Sequence, residues 1–210
     1  MPETGTKPHH FYEPAHGHGL AHDPLNAIVA PRPIGWISTV SRAGVRNLAP
    51  YSFFNLFNYA PPIIGFASIG WKDSASNIAE TGEFVWNLAT RPLAEAMNAS
   101  SAMVGGAVDE FTLAGLETLP STLVAPERVA LSPVQFECRH TQTLRLTGKD
   151  GAETESWLIL GEVIGIHIAA SAIVDGSYDT VAAEPITRGG GWGDYFTVRA
   201  DNLFRMRRPG

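Results

Sequence analysis

Residues Arg32–Asn55, RPIGWISTVSRAGVRNLAPYSFFN, decide the fold. Ile34, Trp36, Ser38 and Val40 alternate with Gly35, Ile37, Thr39 and Ser41, and a period of two predicts a half-buried strand, because successive strand side chains point to opposite faces. Arg42-Ala43-Gly44 follows as a hairpin turn. Asn47–Asn55 holds too much Pro, Ser and Asn for a central strand, since proline cannot donate to a ladder, yet it is too apolar for a solvated loop. Such a segment suits the wall of a site for a flat aromatic ligand.

Working outward, Pro61–Ser68 is a buried-strand pattern that feeds into a helix start at Lys72-Asp73-Ser74, with helical residues up to Thr81 and Gly82. Asp73 or Ser74 is the expected N-cap, and the free N–H groups of the first turn, with Lys72 beside them, suit a phosphate. The plainer alternative is an ordinary capped helix with a solvated lysine. Further on come a strand at Phe84–Ala89 and a helix from Pro92 to about Ser101 with proline in its first turn. An irregular excursion from Met103 to Leu131 holds a short helical turn near Asp109–Leu113. Val134–Thr147 and Trp157–Ala169 are long strands joined through the turn Gly148–Gly151. Strands linked by hairpins predict a closed or partly closed antiparallel barrel rather than a doubly wound sheet. The cluster Gly189-Gly190-Gly191-Trp192-Gly193 has neither the spacing nor the flanks of a dinucleotide-binding loop.

The 210 residues, 44% of them hydrophobic, suit one domain over residues 25–210 with an N-terminal arm over residues 1–24. No run approaches the roughly 18 consecutive apolar residues of a membrane helix, and the opening MPETGTKPHHFYEPAHGHG lacks the apolar core of a signal peptide, which points to the cytoplasm. A net charge of −6 argues against nucleic acid or an anionic membrane surface as partner. The single cysteine, Cys138, shares a strand face with Val134 and Phe136 and reads as a buried, inert thiol. His9, His10, His16, His18 and His22 crowd the arm, but without cysteines or a helical i, i+4 pair they do not read as a metal site. The arm is expected to pack on the barrel or on a partner subunit.

The segments RPIGWIST, NLAPYSFF and KDSASNI, in this order, resemble the flavin reductase-like, FMN-binding split β-barrel family, and the similarity extends through Glu83–Leu88, Leu93–Asn98, Leu160–His167 and Gly191–Tyr195. The resemblance implies a mainly β, antiparallel, Greek-key-like split barrel with peripheral helices. It further implies a homodimer with FMN, or FAD, in a groove at the subunit interface, and NAD(P)H as co-substrate. On this resemblance Thr39 and Ser41 reach the flavin side, and Asn47, Leu48, Ala49, Pro50, Tyr51 and Ser52 form the loop that meets the ring. Ser68, Lys72 and Ser74 match the phosphate end. Arg32 is a second candidate cation, with packing beside Trp36 or Pro33 as its alternative. His167, in register with Gly161, Val163 and Gly165 on one strand face, is the candidate catalytic residue near the nicotinamide; a histidine satisfied inside the barrel or interface is the alternative. Asp194-Tyr195 reads as a rim or interface contact.

The implied activity is an NAD(P)H-dependent flavin oxidoreductase that delivers reduced flavin or electrons to an acceptor or a partner oxygenase. The alternatives are a flavoredoxin-like FMN-binding electron carrier, and a barrel that has kept its shape and lost its flavin. No paired carboxylates, nucleophile elbow or HExxH zinc motif competes with this chemistry.

Overall fold

The computed structural model describes residues 9–210; the first eight residues of the arm lie outside the described residues. A short helix α1 (Leu25–Ile28) precedes four strands, β1 (Gly35–Val40), β2 (Arg46–Tyr51), β3 (Phe54–Tyr59) and β4 (Pro62–Ile69). Helix α2 (Asp73–Thr81) and β5 (Glu83–Asn87) follow, then α3 (Ala94–Ala99), α4 (Glu110–Leu113) and the short pair β6 (Thr118–Leu119) and β7 (Arg128–Val129). The long hairpin is β8 (Val134–Thr147) and β9 (Glu153–Ile168). Two small ribbons end the chain, β10 (Ile173–Val174) with β11 (Ser177–Tyr178) and β12 (Ile186–Arg188) with β13 (Tyr195–Thr197).

Seven strands form one antiparallel sheet in the order β2-β1-β5-β8-β9-β4-β3. Its two end strands are consecutive in the chain, separated only by Ser52 and Phe53. A sheet whose edges are tied so closely has to curl round on itself. The Ala67 N–H donates to the Phe53 carbonyl (2.8 Å), carrying the β3–β4 ladder one rung towards β2, and across the seam the rings of Tyr51 and Phe66 lie 4.4 Å apart. No ladder joins β2 to β4, so the barrel stays split. This is the mainly β antiparallel split barrel with peripheral helices that the sequence predicts.

Two cores hold it together. Inside the barrel lie Ile37, Tyr51, Ile64, Phe66, Phe84, Trp86, Cys138, Ile159 and Val163, with Ala75 and Ile78 of α2 closing one end. Outside, Trp36 and Leu48 pack with Leu93, Met97, Phe111, Val129 and Ile186. Burying each large apolar side chain contributes roughly 1.5–3 kcal/mol. The outer core changes one expectation: β1 is buried on both faces rather than one, because α3, α4 and β7 cover the face that alternation alone assigns to solvent. Cys138 is buried, and burial pushes its thiol well above the usual range.

Candidate functional site

A cleft of about 510 Å³ opens at the seam, walled by Asn47, Ala49, Pro50, Tyr51, Ser52 and Phe53 on one side and by Ala67, Ile69, Lys72, Asp73 and Ser74 on the other. β2 is an edge strand, which is where proline is tolerated and where outward backbone groups need partners. Tyr51 is 8% exposed, and its hydroxyl has no hydrogen bond, although Ser68 and Ser74 stand nearby; burial pushes the phenol above its usual range. A buried phenol without a partner is a costly state that a ligand hydrogen bond relieves.

At the other end of the cleft α2 begins. Its N-cap is Lys72, one residue earlier than expected, and no side chain caps the helix. Ser74 instead faces inward, where its Oγ accepts from Asn47 Nδ2 (2.9 Å). Asn47 and Asn77 both donate to Thr39 Oγ1, at 3.1 and 3.0 Å. Thr39 therefore supports Asn47 and does not line the cleft. The first-turn N–H groups of α2 carry the positive end of the helix dipole, and with the exposed Lys72 they offer an anion site.

Sequence reasoning missed Glu110. It opens α4, where Asp109 caps the turn by accepting from the Phe111 and Thr112 amides. Glu110 is 6% exposed, lines the cleft, and its Oε2 accepts the Leu48 N–H at 3.0 Å. Burial, helped by Asp73 and Asp109, pushes its carboxyl above the usual range against the pull of the Leu48 and Glu110 amides. The only local signal was an acid just after an N-cap. Nothing in the surrounding sequence shows that its partner lies 62 residues away.

The side chains of other expected residues do not line the cleft. Arg32 donates to the carbonyls of Asn26 (2.5 Å), Val29 and Gly189 (3.1 Å), pinning α1 and the Gly189 loop; its guanidinium lies 5.6 Å from the ring of Phe53, which lines the cleft. Ser41 Oγ accepts the Val45 N–H within the hairpin turn, and the buried Ser68 donates to the Gly70 carbonyl. Leu48 turns its side chain into the outer core. Asp194 and Tyr195 belong to the β12–β13 ribbon, with the Arg188 guanidinium 4.9 Å over the Tyr195 ring. Tyr195 also borders a second cleft of about 550 Å³ with Arg91, Glu95, Asn98 and Trp192. Among the described residues, no three His, Cys, Asp or Glu side chains stand together as a metal site.

His167 does not share a strand face with Gly161 and Val163. A bulge skips Ile164, since Glu137 pairs with Gly165 but Cys138 with Val163, so β9 changes face there. Gly161 and Val163 point into the barrel, where the Phe84 ring fills the space over Gly161, while Gly165 and His167 point outward. A Cβ on Gly165 would meet Leu123 and Glu137, so this glycine makes room for a neighbouring segment. His167 Nε2 lies 2.5 Å from Oε1 of Glu137, a carboxylate with no solvent exposure that also accepts the Thr122 and Leu123 amides at 2.8 and 2.5 Å. Burial pushes Glu137 up, but these donors outweigh it and hold the carboxyl below the usual range. Register places His167 in the row Pro50, Trp36, Asn87, Gln135, His167, four strand-to-strand steps of about 4.8 Å from the cleft wall.

Comparison with known proteins matches this architecture. The flavin reductase like domain matches residues 29–182. BH2278 of Halalkalibacterium halodurans, an uncharacterized protein, is 37% identical over 193 residues, covering 88% of this chain and 89% of its own. Nitrilotriacetate monooxygenase component B from Bacillus cereus superposes with a TM-score of 0.79 at 27% identity, over 87% of this chain and 90% of that one. The 2-nitrobenzoate 2-nitroreductase NbaA of Pseudomonas fluorescens gives 0.77 at 25% identity, over 88% of both chains. With the split barrel, the seam cleft and the domain match in agreement, the chain belongs to the flavin reductase like domain family.

Proposed function

We propose that this chain binds FMN in the seam cleft and works as an NAD(P)H-dependent oxidoreductase, passing electrons to an acceptor or a partner oxygenase. One observation carries the reading: a single cleft runs from the open edge of β2 to the uncapped start of α2. The β2 edge suits the heteroatom rim of a flavin ring. By the strand period, Pro50 and Ser52 turn the same way as Leu48, and Pro50 has no N–H, so carbonyls and the Ser52 amide meet the ring. Tyr51 supplies the unpartnered hydroxyl. Lys72, Ser74 and the α2 amides suit a phosphate dianion through charge-assisted hydrogen bonds.

Bound flavin supplies the hard chemistry, accepting a hydride and passing electrons on singly or in pairs. The residues bind and orient it: Ala67 and Ile69 present apolar surface, and the Asn47–Thr39–Asn77 network holds Ser74 in place. The oxygenase-component and nitroreductase neighbours favour a reductase role. Exposed Leu56, Phe57 and Tyr59 on β3 favour burial against a second copy, which static light scattering tests; a monomer saturated with flavin would contradict it.

The carrier reading has its own support, because His167 is committed to Glu137 and does not line the cleft. Anaerobic mixing of the FMN-loaded protein with NADH and then NADPH separates the two. Bleaching of the flavin band by either establishes the reductase. Bleaching by dithionite alone establishes the carrier.

A further inference from the structure

Two carboxylates, Asp73 and Glu110, share the cleft with one cation, Lys72. Asp73 opens α2 at the surface. Glu110 is held inside the wall, its position fixed by the Leu48 N–H on the β2 edge. An amide oxygen would satisfy that N–H equally well, so the hydrogen bond alone does not account for an acid there. The charge is an additional feature, and it faces the same cleft as Pro50, Tyr51 and Ser52.

Resting on the flavin reading above, we propose that Glu110 lowers the reduction potential of the bound flavin by holding its carboxylate beside it, and takes up a proton when the flavin is reduced. Reduction builds negative charge on the ring, and a neighbouring carboxylate opposes that charge. The opposition ends once Glu110 is protonated. Its environment favours that exchange: burial with the Asp73 and Asp109 charges raises its affinity for a proton. The remaining charges nearby do not replace it. Asp109 is paired with Arg46, which also binds Glu127 at 2.8 Å, while Asp73 stands beside Lys72 at the exposed start of α2, the phosphate end.

The test is the midpoint potential of the FMN-loaded protein, measured against reference dyes from pH 5 to 9, for wild type and Glu110→Gln. Glutamine keeps an acceptor for Leu48 and removes the charge. The expected result is a flavin easier to reduce in the variant, by about tenfold in the equilibrium with the dye, or ~30 mV for a two-electron couple. The gap should close as pH falls and the wild-type carboxyl is protonated. Equal potentials in both proteins, with FMN bound in both, overturn the role of Glu110 and leave the flavin site standing. Failure of the wild type to bind FMN overturns the flavin reading and this inference together. If Glu110→Gln does not fold, the wild-type curve decides: a pH dependence steeper than that of free FMN where Glu110 titrates supports the inference, and a parallel curve overturns it.

Discussion

Glu110 and Glu137 are both buried acids that accept backbone amides, and the difference between them separates the two working regions of the barrel. Glu137, on the outer face of β8, meets two amides and the His167 ring, and the fold lowers its affinity for protons. Glu110, at the seam, takes one amide from β2, and the fold raises its affinity for protons. A carboxylate with its acceptor sites filled ties segments together, here the 122–123 loop to the β8–β9 hairpin. One that is underfilled and faces a cleft keeps its charge available to a ligand. Tyr51 repeats the second pattern with a hydroxyl.

The largest test of this contrast is Glu137→Ala. It strips two amides and an imidazole of their acceptor, and leaving a buried donor unsatisfied typically costs about 1–3 kcal/mol. Urea unfolding should show that loss, while FMN affinity measured on the folded protein stays within about twofold. Glu137→Gln, which keeps an acceptor, should lose less. Because the fold lowers the Glu137 pKa, its contribution is complete above the ordinary value of 4.5 and is lost as pH falls through the lowered folded value. Melting temperature should therefore fall more steeply with acid in wild type than in Glu137→Gln. Parallel curves would deny the pair its role.

Lys72→Ala comes next, on the seam side. FMN affinity should drop about ten- to a hundredfold, the worth of a charge-assisted hydrogen bond of about 1.5–3 kcal/mol, with riboflavin binding nearly unchanged. Equal losses for both ligands would remove Lys72 from the phosphate. Tyr51→Phe is the smallest and sharpest probe. With the orphan hydroxyl gone, the flavin-free protein should be as stable or more so, while FMN affinity falls by about 0.5–1.5 kcal/mol. Loss of stability without loss of affinity would reverse the assignment.

Local pattern made much of this legible. β8 coincides with its predicted span, the Gly148–Gly151 turn and the Asp109–Leu113 turn lie where expected, and Asn47, Ala49, Pro50, Tyr51, Ser52, Lys72 and Ser74 line one cleft. These rest on alternation, turn residues and chain-local motifs. What failed depends on distant partners or on one extra residue. The bulge at Ile164 reverses the faces of β9, so the shared register assumed for His167 and Val163 does not exist. The terminal nitrogens of Arg32 are taken by carbonyls of Asn26, Val29 and Gly189, and Glu110 by an amide of β2. No periodicity encodes such pairings.

A crystal structure of the protein grown with FMN would show whether the seam between β2 and β4 holds the flavin. The ring is expected along Pro50–Ser52 within reach of the Tyr51 hydroxyl, and the phosphate at Lys72 and Ser74. Flavin density in the Arg91–Trp192 cleft with the seam unfilled would contradict that placement.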